Sequence, residues 1–93
     1  MKINAVIIDK KDNVAVAIEI IKKGEAIFYK RDNEDIELEA LTDIQIYHKL
    51  ANKEIKKGEP VIKYGEHIGI AARDIKKGEH VHVHNVESHR EEL

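Results

Sequence analysis

The 93-residue chain contains no cysteine and no tryptophan, one proline, one phenylalanine and three tyrosines. Without cysteine there is no disulfide framework, no thiolate zinc site and no thiol nucleophile. Aromatics are scarce, and lysine and glutamate are interspersed to a formal net charge of −2. The chain therefore offers no basic-aromatic platform for nucleic acid. No apolar run approaches the length of a membrane span, and Met1-Lys2 is not followed by a signal-peptide core, so no membrane association is expected and the expected location is cytoplasmic. A chain this short makes one small domain, near the size at which a single core becomes marginal without help.

What the chain does have is an internal repeat. Ala17-x-x-x-Ile21-Lys22-Lys23-Gly24-Glu25-x-Ile27 recurs as Ala51-x-x-x-Ile55-Lys56-Lys57-Gly58-Glu59-x-Val61 and again as Ala71-x-x-x-Ile75-Lys76-Lys77-Gly78-Glu79-x-Val81. Each copy reads as an apolar segment, a turn closed by glycine in a positive-φ position, and an alternating strand. The copies stand 34 and then 20 residues apart, so the repeat is one structural corner used several times and no regular solenoid. The lysines and glutamates of these turns are expected to serve geometry and solubility, not catalysis. Strands are predicted over 5–8, 14–21, 26–29, 36–38, 61–64 and 67–71, with turns at 9–13, 30–35 and Gly65-Glu66. Periodicity does not settle whether residues 41–50 hold a helical turn or lead straight into a strand, and Pro60 is expected to open a strand. Nothing resembles a long amphipathic helix, so the predicted class is all-β.

Half of the six histidines lie in Gly78-Glu79-His80-Val81-His82-Val83-His84-Asn85. On a strand, this spacing points His80, His82 and His84 to one face and Val81 and Val83 to the other. Neighbouring rings on that face would stand roughly 7 Å apart, too far for all three to grip one ion unaided. Imidazole ligates transition metals and moves protons near neutral pH. The run therefore reads as part of a site completed from elsewhere.

The repeated signature resembles the SAF domain, a β-clip fold. Asp12-Asn13-Val14-Ala15, His48-Lys49-Leu50-Ala51, Lys63-Tyr64-Gly65 with Ile68-Gly69, and the terminal histidine run narrow the resemblance. Together they are similar to the N-terminal domain of the altronate/galactarate dehydratase family, which also includes the small subunit of sulfolactate sulfo-lyase. The resemblance covers residues 5–86. It implies an SAF domain over 1–86, built of short strands with little helix, followed by a polar tail over 87–93 that is frayed or docked.

Single-chain members of that family continue into a much larger domain, so the resemblance implies a small subunit of a split enzyme, partnered by a large catalytic subunit and inactive alone. The implied reaction is β-elimination of water from a sugar acid, as in an altronate dehydratase-type hydro-lyase. The alternatives are the small subunit of sulfolactate sulfo-lyase, or a non-catalytic SAF module that binds a sugar acid or metal. The implied cofactor is a divalent metal, iron(II). His82 and His84 are the expected metal ligands, and His48, Lys63 and Tyr64 the expected catalytic residues. Lys49 and Asn85 are the expected substrate-binding residues. Of the three clustered histidines, His80 is the one best suited to a plain hydrogen-bonded role. Asp12 and Asn13 read as turn formers first, and His67 and His89 as surface residues. Exposed strand edges in so small a domain favour docking or formation of a homo-oligomer.

Overall fold

The apolar segments form short strands because each is only a few residues long before a polar turn reverses it. The computed structural model describes residues 2–87, and no helix occurs among them. The strands are β1 (Ala5–Val6), β2 (Val14–Ala17), β3 (Ala26–Arg31), β4 (Glu34–Glu39), β5 (Lys49–Ala51), β6 (Pro60–Lys63), β7 (Glu66–Ala71), β8 (His80–Val81) and β9 (Val86–Glu87). They make three antiparallel sheets, ordered β1-β2-β5-β8, β3-β4 and β6-β7-β9. Pro60 opens β6, as expected. The β3-β4 hairpin turns at Asp32 and Asn33, whose φ values of 50° and 66° give the mirror-image turn that suits strand twist. Of the expected tail, only Glu87 falls among the described residues, and His89 lies outside them.

One expectation is corrected and one alternative is decided. The strand predicted over 14–21 ends at Ala17, and the segment 41–50 holds no helical turn but leads into β5 at Lys49. Both run into corners, and here the structure adds a fourth copy of the repeat. Ala40-x-x-x-Ile44 has the spacing of the other copies, with Gln45-Ile46-Tyr47-His48 where they carry Lys-Lys-Gly-Glu. The backbone bonds match. Glu25, Glu59, Glu79 and His48 donate their N–H groups to the carbonyls of Lys22, Lys56, Lys76 and Gln45 at 2.9, 2.9, 3.0 and 3.0 Å.

The four corners pack as two reciprocal pairs. Gly24 N–H donates to Ala40 and Tyr47 N–H to Ala17, while Gly58 N–H donates to Ala71 and Gly78 N–H to Ala51, all at 2.7–2.8 Å. Ile21 bridges Ile44, and Ile55 bridges Ile75, so each pair buries its own isoleucines. Two apolar clusters result, one around Ile21, Ile27, Ile44 and Leu50 and the other around Ile55, Val61, Ile75 and Val81. Burying such side chains contributes on the order of 2 kcal/mol each. No helix of the described residues is long and apolar enough to cross a membrane.

Candidate functional site

His48 leaves the fourth corner directly into β5. That strand pairs with β8 in the register Lys49↔Val81 and Leu50↔His80. The pairing sets the imidazoles of His48 and His80 side by side, with His48 Nδ1 and His80 Nε2 2.9 Å apart, one donating and the other accepting. The His82 ring stacks on that of His48 at 4.4 Å between centroids. In the other three corners the glutamate carboxylate folds back to accept the N–H of Lys22, Lys56 or Lys76. His48 turns to His80 instead. A corner side chain has been released from capping and points into a site.

The expectation of one histidine-bearing strand is corrected. β8 ends at Val81, and Asn85 N–H donates to His82 O at 3.1 Å to close a turn over 82–85. Val81 is wholly buried whereas Val83 is 82% exposed, so the two valines do not share a face. The turn overcomes the spacing problem of a flat strand. His48, His80 and His82 each offer a ring nitrogen, all within 4.8 Å of one another, and together could hold a metal ion. Nitrogen donors of this kind suit a transition metal rather than calcium or magnesium. His80 is thus central to the cluster, against the minor role its position in the run implied. His84 lies outside this trio, exposed, with its ring 5.1 Å from that of His80.

The cluster is electrically crowded. Burial, joined by the charges of His84, His48, His82 and Lys49, pushes the His80 imidazole down from 6.5 to about 4. His82 is also held below its ordinary value, by burial first and then by His48, Lys49 and His84. Both rings are thereby kept neutral, the state that ligates. Lys49, half-buried, is lowered by burial and by Lys63. Among the described residues, neither Lys49 nor Lys63 has an acidic partner within ion-pair range. Lys49 and His82 line an open pocket of about 210 Å³ with Ile68, Val83, Val86 and Glu87.

Lys63 ends β6 with its ammonium 4.7 Å from the ring centroid of Tyr64, which sits exposed at φ 57° in the β6-β7 turn. That turn, at Tyr64-Gly65 rather than Gly65-Glu66, is held by Asp12. Its buried carboxylate accepts N–H bonds from Asp9 at 3.1 Å, Tyr64 at 3.0 Å and Gly65 at 2.8 Å. The Asn13 amide bonds Pro60 O and Ile62 N–H on the neighbouring strand. Asp12 is a turn builder, as its chemistry implied, whereas Asn13 ties down the neighbouring strand β6 instead. Asn85, expected to bind substrate, takes a place in the interior. It is fully buried and its amide bonds the backbones of His80 and His82.

Small antiparallel sheets joined by repeated corners, with no helix among the described residues, define an all-β SAF domain. A sequence profile described as the altronate/galactarate dehydratase SAF domain matches residues 3–89, and the chain belongs to that family. It is 38% identical over 86 residues to an altronate dehydratase of Bacillus subtilis (strain 168), covering 92% of this chain and 16% of that protein. It is 37% identical over 93 residues to a (2R)-sulfolactate sulfo-lyase subunit alpha of Chromohalobacter salexigens, covering 97% of this chain and 99% of that one. The corresponding subunit alpha of Paracoccus pantotrophus is 49% identical over 59 residues, 63% of this chain and 88% of that one. The chain thus spans about a sixth of the altronate dehydratase but nearly all of the longer alpha match.

Proposed function

We propose that this chain supplies one wall of a lyase active site that removes water or sulfite from a hydroxy acid, the rest coming from a larger subunit. One observation carries the reading: three convergent imidazoles stand beside two half-buried lysines that have no acidic partner among the described residues. His48, His80 and His82 would hold a divalent ion, iron(II) by family resemblance. When bound, that ion offsets the negative charge that builds as a proton beside a carboxylate is removed. Lys49 and Lys63 attract and orient the substrate carboxylate. Tyr64, exposed on its turn, or His84, at the rim of the cluster, would hand a proton to the departing group. The large relatives named altronate dehydratase and the small ones named subunit alpha favour a split enzyme. A hydro-lyase acting on altronate is the first candidate and a sulfolactate sulfo-lyase the second.

The test is an assay of this chain co-purified with its larger subunit on altronate, galactarate and sulfolactate, with and without added iron(II). Turnover of one acid that requires the metal is expected. His80→Ala should lower metal affinity by more than the roughly 10–100-fold typical of losing an outer partner. Unchanged metal content and rate in His80→Ala and His48→Ala would sink the assignment of the cluster.

A further inference from the structure

Asn85, which closes the 82–85 turn, is wholly buried, and every polar group it has is engaged. Its Oδ1 accepts the N–H of His82 at 3.0 Å, and its Nδ2 donates to the carbonyl of His80 at 2.8 Å. Its own N–H donates to His82 O at 3.1 Å, and its carbonyl accepts from Ala72 N–H at 2.9 Å. One side chain therefore grips the backbone of both His80 and His82. On the far side of His80, its N–H donates to Thr42 Oγ1 at 3.0 Å. After the turn, β9 pairs with β7 in the register Ala71↔Val86 and Ile70↔Glu87. Gly69 permits this approach, because a Cβ there would strike the Val86 side chain and lie 2.8 Å from Glu87 O.

The strand geometry of the histidine run would keep the rings too far apart to share an ion. The turn is what gathers them, and Asn85 is what makes the turn. We propose that Asn85 is a positioning residue: its two side-chain hydrogen bonds set the separation of the His80 and His82 rings and so the metal affinity of the trio. This rests on the metal-binding reading of the cluster. A ring held by a bonded backbone keeps a fixed distance to its neighbours, whereas a ring on a loose loop must be ordered at the moment of binding.

The test compares the full chain with Asn85→Asp, which retains an acceptor for His82 N–H but sets an oxygen against the His80 carbonyl, and with Asn85→Ala. Cobalt(II) is the probe, titrated by its visible absorption, and ring nitrogen NMR shifts report the His48–His80 hydrogen bond in the metal-free chain. Folded variants are expected to lose the His48–His80 bond, to bind cobalt about 10–100-fold more weakly and to show an altered cobalt spectrum. A purely structural residue would lower the melting temperature yet leave the affinity and spectrum of the folded fraction as they were. Ring shifts unchanged in a folded variant overturn the proposal whether or not the chain takes up cobalt. So does failure of both variants to fold, which assigns Asn85 to the fold alone. Cobalt binding that is equal in the unmodified chain and His80→Ala overturns the metal reading instead, and the ring shifts still decide the role of Asn85.

Discussion

Tyr47 occupies a position that the other three corners give to glycine, and it adopts φ 69° where they lie at 88–90°. A side chain in this region costs roughly 1–2 kcal/mol relative to an ordinary backbone conformation. The phenol is 73% exposed, so little burial offsets that cost. Tyr47→Gly should therefore raise the unfolding free energy by about 1 kcal/mol in a urea titration, with cobalt(II) uptake by the cluster unchanged. A loss of stability would show that the Tyr47 ring makes contacts worth more than the strain. The same substitution pattern explains why the corner that carries His48 was hard to read from the sequence, although His48 itself was singled out by its motif. With Gly replaced by Tyr47 and Glu by His48, only Ala40 and Ile44 remain of the repeat, and two residues do not announce a corner. The place of His80 was hidden differently. A period of two marks it as one of three equivalent rings, and only the capture of the chain by Asn85 makes the three unequal.

The corners were the most legible elements, because three copies keep glycine and glutamate and each residue has a local reason to be there. Glycine accepts the positive φ, and glutamate returns to bond the lysine N–H three residues earlier. What each corner packs against is not local, and the glycines differ on that account. A Cβ on Gly24 or Gly58 would meet nothing within 4 Å, whereas one on Gly78 would collide with the carbonyl oxygen of Glu39. Leu41 N–H also donates to Gly78 O at 3.0 Å, so this corner is where the two pairs of corners touch. Gly24→Ala and Gly58→Ala should each cost about 1–2 kcal/mol from φ alone. Gly78→Ala should cost about 3 kcal/mol or more, since a backbone oxygen cannot swing aside as a side chain can. Urea unfolding of the three variants checks the order, and equal losses would mean that β4 retreats freely from the third corner. The pairing of corners, and with it the meeting of β5 and β8 that builds the site, depends on such long-range contacts. That is why the sequence showed the parts and not their partners.

At the scale of the whole molecule, a chain of formal charge −2 gathers four histidines and two lysines into one region of a body 47 × 26 × 19 Å. Holding such a region together has a pH dependence whose sign can be worked out. His80 titrates at about 4 in the folded chain against 6.5 in the ordinary state. Above pH 6.5 the ring is neutral in both states and adds no slope. Between 6.5 and 4 the unfolded chain takes up the proton and the folded chain resists it, so stability falls as the pH falls. Below 4 both states are protonated and this contribution is complete. His82 acts in the same direction. Because the His80 ring is only partly shielded from solvent, the loss is on the order of 1 kcal/mol after screening, not the full value of the shift. Carboxylates also titrate toward the lower end of this window, so the total slope does not identify its source. The comparison that does is the metal-free chain against His80→Ala, with urea midpoints taken from pH 7.5 to 4. The unmodified chain should weaken from pH 6.5 downward, and the variant should stay flatter until the carboxylate range. Added salt should reduce the part due to neighbouring charges and leave the part due to burial. Identical slopes in the two proteins would show that the cluster opens to water as it is protonated, and would remove the electrostatic account of why its rings stay neutral.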